Sequence, residues 1–145
     1  MKTVFDIGAN NGESTLGMVD SEIYAFEPTP ELCEKLRKYE SPTYHVIQKA
    51  VSDFNGKATF YVAGQSDWGC SSLYEFSDNL DTTWPKRKDF KVTKEIEVDV
   101  IRLDTFIEEN KIQEIDYFHC DAQGSDLNVL KGLGKYISIV EEGMI

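Results

Sequence analysis

Positive charge is what this chain has least of. Lys and Arg number 15 against 26 Asp and Glu, a net charge of −11 over 145 residues. So acidic a chain offers no broad surface for nucleic acid or an anionic membrane, and neither is expected as a partner. Cysteine is scarce as well. Cys33, Cys70 and Cys120 are odd in number and far apart, which suits reduced cytosolic thiols better than a disulfide framework or a zinc site. No apolar run reaches membrane-spanning length. Met1 and Lys2 lead directly into an apolar strand, leaving no signal peptide, so the expected location is cytoplasmic. No His, Asp and Glu cluster has metal-ligand spacing, so no metal is expected. No repeat, linker or low-complexity stretch interrupts the chain, which predicts a single domain over residues 1–145.

What is present is organised around the first strand. Val4, Phe5 and Ile7 read as a short buried strand. Gly8-Ala-Asn-Asn-Gly12 is a turn, and the spacing predicts a helix from Glu13 to Val19. A strand, a glycine turn and a helix make a corner where the backbone approaches a ligand closely. A dinucleotide loop needs glycines where this chain has Asn10 and Glu13, and a phosphate loop needs a Gly-Lys-Ser/Thr that is absent. Glu13 would repel a pyrophosphate. The loop therefore suits a ligand with an amino group and a carboxylate better than one with two phosphates.

Ile23 to Glu27 is the second strand, with Thr29 as the expected cap of a helix carrying Leu32, Leu36 and Tyr39 inward. Tyr44 to Gln48 is the third. Alternating strands and helices predict a Rossmann-like, doubly wound, mostly parallel α/β sheet. Glu27 ends its strand about 20 residues after the glycine turn, where an acidic side chain can accept both hydroxyls of a ribose. Its other reading is a charge complementing the next helix. Ser52 and Asp53 follow at the carboxyl edge. Asn55-Gly56 turns the chain into an inserted hairpin, pairing the strand around Ala58 to Val62 with the alternation from Val92 to Val100. Between them lies a long stretch with Trp68, Ser71, Ser72, Tyr74, Phe76, Trp84 and the run Lys86-Arg-Lys88. Such a stretch is expected to be an acceptor lid, and the basic run reads first as a solvated charge cluster. Leu103 to Glu109 is a helix capped by Asp104. Ile115 to Cys120 is a strand ending at Asp121. A helix beginning near Gln123 buries Leu127 and Leu130, with Gly132 and Gly134 closing it. Tyr136 to Val140 is the expected last strand.

Four blocks can now be read together: Val4 to Thr15, Ala25-Phe-Glu-Pro28, Ser71-Ser-Leu-Tyr74 and Ile115 to Asp126. With the Ala50-Val-Ser-Asp53 and Leu103-Asp-Thr-Phe106 segments, their order closely resembles the FkbM-type methyltransferase family, within the class I S-adenosylmethionine (SAM)-dependent enzymes. His119-Cys120 stands where that family usually has Lys-Ile. The resemblance implies a SAM cofactor and methyl transfer to a hydroxyl oxygen of a small-molecule or glycan acceptor. By position it implies that Asp6, Gly8, Asn10 and Gly12 surround the methionine part of SAM. Glu27 would hold the ribose, Ser52 and Asp53 would flank the adenine, and Asp121 and Gln123 would lie nearest the transferred methyl. Asp121 is the first candidate for a catalytic base, its other reading being a helix cap. His119 and His45 read as packed structural histidines. A SAM-binding module without turnover and a nicotinamide-linked oxidoreductase are the alternatives. The C-terminal strands of the usual seven-stranded sheet are missing after Val140, which predicts an open edge and a two-fold homodimer through it.

Overall fold

A run in which Val4, Phe5 and Ile7 are all inside needs a strand covered on both faces. The computed structural model describes residues 1–63, 92–122 and 126–144, and makes that run its central strand. The strands are Lys2–Ile7 (β1), Ser21–Phe26 (β2), Tyr44–Ile47 (β3), Ala50–Val51 (β4), Gly56–Ala63 (β5), Val92–Ile101 (β6), Tyr117–Cys120 (β7) and Gly143–Met144 (β8). Five of them form a parallel sheet in the order β3-β2-β1-β7-β8. The other three form a second sheet, β4-β6-β5, in which β5 and β6 are the expected antiparallel hairpin. The doubly wound reading therefore holds, hairpin included.

Alternation along β1 assigns its two faces. Phe5 and Ile7 join one buried cluster with Phe26, Phe118, Cys120 and the helix Leu103–Asn110 (α2). Phe106 of α2 packs edge-on against Phe5 and Phe26, with centroids 5.7 and 4.9 Å away. Each such buried ring contributes about 1.5–3 kcal/mol. Val4 faces the other way, with Ile23, Ala25, Val46 and the helix Pro30–Leu36 (α1). The helix Asp126–Leu133 (α3) adds Val129 and Leu133 to the first cluster.

Several local expectations are corrected. Residues 13–19 form turns, not a helix. Thr15 and Leu16 both donate to the Gly12 carbonyl, and Met18 to Thr15, but Gly17 and the short path back to β2 stop propagation. Residues 136–140 are not a strand. Gly134–Ile139 is a 3-10 helix, and the sheet's outer strand is β8. Tyr, Ile, Ser, Ile and Val imitate strand alternation there, yet Val140 contributes only an isolated parallel bridge to Ile115. The premise for an apolar edge at Ile137, Ile139 and Val140 therefore goes. Tyr39 and Leu127 are exposed, and Leu130 is only partly buried. Gly132 lies inside α3, where a Cβ would come 2.4 Å from the Ser52 carbonyl oxygen. The N-cap of α2 is Arg102, and Asp104 accepts instead from the Thr105 N–H at 2.7 Å. Thr29 is the N-cap of α1 but makes no side-chain cap bond. The residues expected to form a lid, Trp68, Ser71, Ser72, Tyr74, Phe76, Trp84 and 86–88, lie with Gln123 outside the described residues.

Candidate functional site

Parallel register brings the strand ends onto one rim. Ile7 pairs with Phe26 and Cys120, and Phe26 with Ile47. The next residues, Gly8, Glu27 and Asp121, therefore stand together at the carboxyl edge. Strand order reverses between β1 and β7, because β1 leads outward to β2 on one side and β7 begins the other. Open α/β sheets bind ligands in the crevice at such a switch point.

The turn after β1 is shaped by three left-handed residues, Gly8 (φ 73°), Asn10 (φ 55°) and Gly12 (φ 82°). Gly8 is confined further. A Cβ there would lie 2.1 Å from the carbonyl oxygen of Asp121, so the two strand ends meet backbone to backbone. Almost every N–H of the turn is already used. Gly8 and Ala9 donate to Phe26, Gly12 to Ala9, Glu13 to the Asn11 side chain, and Asn10 to Glu27.

Two carboxylates hold this turn from below. Asp6 is fully buried; its Oδ2 accepts from Thr15 Oγ1 at 2.7 Å and its Oδ1 from His119 Nδ1 at 3.0 Å. Glu27 is 4% exposed and bridges two segments, accepting at Oε1 from the Asn10 N–H and at Oε2 from the Thr29 N–H, both at 2.8 Å. Burial pushes its carboxyl above the ordinary value. The two backbone bonds pull against that, and the Asp6 charge adds to it. Asp121 is anchored by its own N–H to the Ile7 carbonyl, and its side chain is exposed at the rim.

Ser52 and Asp53 are held in a different corner. The Ser52 N–H donates to Ile101, and its carbonyl abuts Gly132. Arg102 Nη1 donates to the Asp53 carbonyl at 2.7 Å, and the Arg102 N–H donates to Asn55 Oδ1. The structure thus gathers Asp6, Gly8, Asn10, Gly12, Glu27 and Asp121 around one crevice, while Ser52 and Asp53 are fixed against α2 and α3.

Thr15 and His119 were not picked out for this site from the sequence. His119 reads there as core, yet its side chain is 17% exposed and bonded to Asp6. The signal was available: Asp6 and His119 are both next to last in their strands, so parallel pairing sets them side by side. His45 is partnered as a structural residue would be, stacked on Tyr24 at 4.7 Å with Nε2 3.3 Å from Glu22. Among the described residues no group of three or more His, Cys, Asp or Glu is placed to hold a metal ion. Nor is any helix among them long and apolar enough to cross a membrane.

A parallel α/β sheet with a glycine turn and buried acids at its switch point defines a Rossmann-like domain. Residues 6–145 match the family described as the methyltransferase FkbM domain, so the chain belongs to that family. It is 28% identical over 143 residues to "Methyltransferase 1" of Beauveria bassiana (strain ARSEF 2860), covering 90% of this chain and 57% of that protein. Among solved structures it resembles methyltransferase FkbM from Methylobacillus flagellatus KT, at a TM-score of 0.57 and 18% identity. That likeness covers 94% of this chain and 30% of the other. The chain thus spans little more than half the length of the curated relative and less than a third of the solved one.

A methyltransferase family implies a methyl donor, typically SAM, and the residues present fit one. Acidic Asp6, Glu27 and Asp121 suit a ligand bearing a sulfonium and an ammonium. The turn's occupied N–H groups leave little to receive a pyrophosphate.

Proposed function

We propose that this chain binds SAM at the β1–β7 crevice and transfers its methyl group to a hydroxyl oxygen of a small-molecule or carbohydrate acceptor. The observation that carries the reading is the turn itself: closed internally, ringed by acids and pressed against the Asp121 carbonyl. A dinucleotide site would need those amides free. The bound cofactor supplies an already activated methyl electrophile. The protein's part is to hold and orient.

In this reading Glu27 accepts from the ribose hydroxyls while keeping Asn10 and Thr29 in place. Gly8 and Gly12 keep side chains out of the crevice, and Asp6 fixes the turn through Thr15. Ser52 and Asp53 flank the adenine, and Gln123 lies near the methyl. Asp121 takes the proton from the acceptor hydroxyl at its exposed carboxylate.

Calorimetric titration with S-adenosylhomocysteine and with NAD tests the cofactor. Binding of the first and not the second is expected, and the reverse would sink the reading. Glu27→Ala should weaken S-adenosylhomocysteine binding by about 1.5–3 kcal/mol, the worth of a hydrogen bond to a charged acceptor. Asp121→Asn should keep that affinity and lose transfer to a hydroxyl-bearing glycan panel. Full transfer in this variant would remove Asp121 as the base.

A further inference from the structure

The reading above accounts for the positive groups of SAM and names no partner for its carboxylate. Backbone amides are the usual receivers of an anion at such a turn. Here the N–H groups of Gly8, Ala9, Asn10, Gly12, Glu13, Thr15 and Leu16 all donate within the protein. Residues 13–17 form turns, so no helix N-terminus points at the crevice either. The segments that follow β1, β2 and β7 on this rim, residues 8–17, 27–29 and 121–122, contain no Lys or Arg. Their charged side chains, Glu13, Glu27 and Asp121, are all acidic.

His119 is the exception beside them. It sits opposite Asp6 in the β1–β7 pairing, at the switch point itself. Asp6 engages its Nδ1 at 3.0 Å, and the side chain is 17% exposed. We propose that protonated His119 binds the carboxylate of the amino-acid portion of the S-adenosyl ligand, using Nε2–H while Asp6 holds Nδ1–H. The inference rests on the SAM reading. The buried Asp6 carboxylate fixes the ring's orientation. With both nitrogens donating, the ring bridges an internal carboxylate and a ligand carboxylate. Neutral, with Nδ1–H still given to Asp6, it offers the ligand a lone pair instead.

Among the described residues, the titratable groups around it are few. Asp6 faces it from β1, and Tyr117 and Asp121 lie two residues to either side along its own segment. Gly143 and Met144 of β8 contribute none, and on the same face of the sheet lie Cys33 of α1 and Tyr44 of β3. The other histidine, His45 of β3, is bonded to Glu22 of β2, and both β2 and β1 lie between its strand and β7.

The test is calorimetric titration with two probes, S-adenosylhomocysteine and its decarboxylated analogue, which keeps the amine. Affinity for the first should fall about tenfold from about pH 6 to about pH 8.5. Affinity for the second should stay level. His119→Gln should reduce the first probe's affinity at the lower pH to that of the analogue, and His119→Lys should restore it at both pH values. The same pH dependence for both probes in the unaltered chain would overturn the inference, as would an undiminished preference for the carboxylate in His119→Gln. Failure of the unaltered chain to bind S-adenosylhomocysteine at any pH would overturn the SAM reading itself, and this inference with it.

Discussion

Two turns lie at the carboxyl ends of strands in this chain, and they are built from opposite materials. The turn after β1 is held by two buried carboxylates, Asp6 and Glu27, whose partners are a hydroxyl, an imidazole and backbone N–H groups. The turn after β4 is held by a half-exposed ion pair. Arg102 binds Asp104 at 3.0 Å, with 33% and 27% of the two side chains exposed, and clasps the Asp53 carbonyl. The first is a buried floor with nearly all its donors used. The second is a surface clasp that water can replace. A buried acid is costly unless every lone pair has a use, so the first turn tolerates little change, whereas exposed ion pairs are worth about 0–1 kcal/mol.

The largest expected difference is at glycine. Gly8→Ala meets the Asp121 carbonyl at 2.1 Å in a left-handed conformation. Strain of about 1–2 kcal/mol plus overpacking of about 1–3 kcal/mol should appear in urea unfolding. Gly56, which opens β5 beyond the second turn, has φ 147° with nothing within 4 Å of a Cβ. Gly56→Ala should pay the backbone strain alone. Equal losses in the two variants would mean that the strand ends at β1 and β7 separate freely.

Next come the polar groups. Asp6→Ala strips acceptors from Thr15 and His119 together, in a fully buried place. A loss of about 2–4 kcal/mol is expected from the unmet donors. Arg102→Ala should lose clearly less than Asp6→Ala, because its ion pair with Asp104 is open to solvent. A comparable loss for both would show that the second turn is no looser than the first.

The contrast explains what was legible in the sequence. Strands β1 and β2 and the β5–β6 hairpin were, because Val4, Phe5, Ile7, Ile23 and Phe26 need cover on both faces, and because Asn55-Gly56 is a hairpin turn with a mechanism. Glycines at 8 and 12 marked the corner for the same reason. The short path from Gly12 to Ser21 was harder to read, since Glu13 to Val19 has enough helix formers to mimic a first turn. Residues 136–140 misled by periodicity alone. The Asp6–His119 pair was missed because it shows only once β1 and β7 are set side by side, when the matching next-to-last positions of the two residues become a signal. Arg102 was missed similarly: its partners Asp53 and Asn55 are about 50 positions away.

The smallest effect is a pair of opposed pH slopes. Glu27 has its carboxyl raised by burial, so the folded chain holds that proton more tightly than the unfolded one. Its ionisation therefore costs stability, which is greatest below the ordinary carboxylate value near pH 4 and falls as pH rises through the folded value. Gln imitates the protonated acid. Relative to Glu27→Gln, the unaltered chain should thus lose stability as pH rises from about 4 toward 7. Asp104 runs the other way. The Arg102 bond, with a smaller contribution from the Thr105 N–H, holds its carboxyl below the ordinary range. Its contribution is complete above about pH 4 and disappears as pH falls through the folded value. Relative to Asp104→Asn, the unaltered chain should lose stability on acidification, by less than about 1 kcal/mol because the pair is open to solvent. Urea midpoints across pH for the three chains read both slopes. If the two differences ran in the same direction, the floor and the clasp would not be the distinct devices their burial implies.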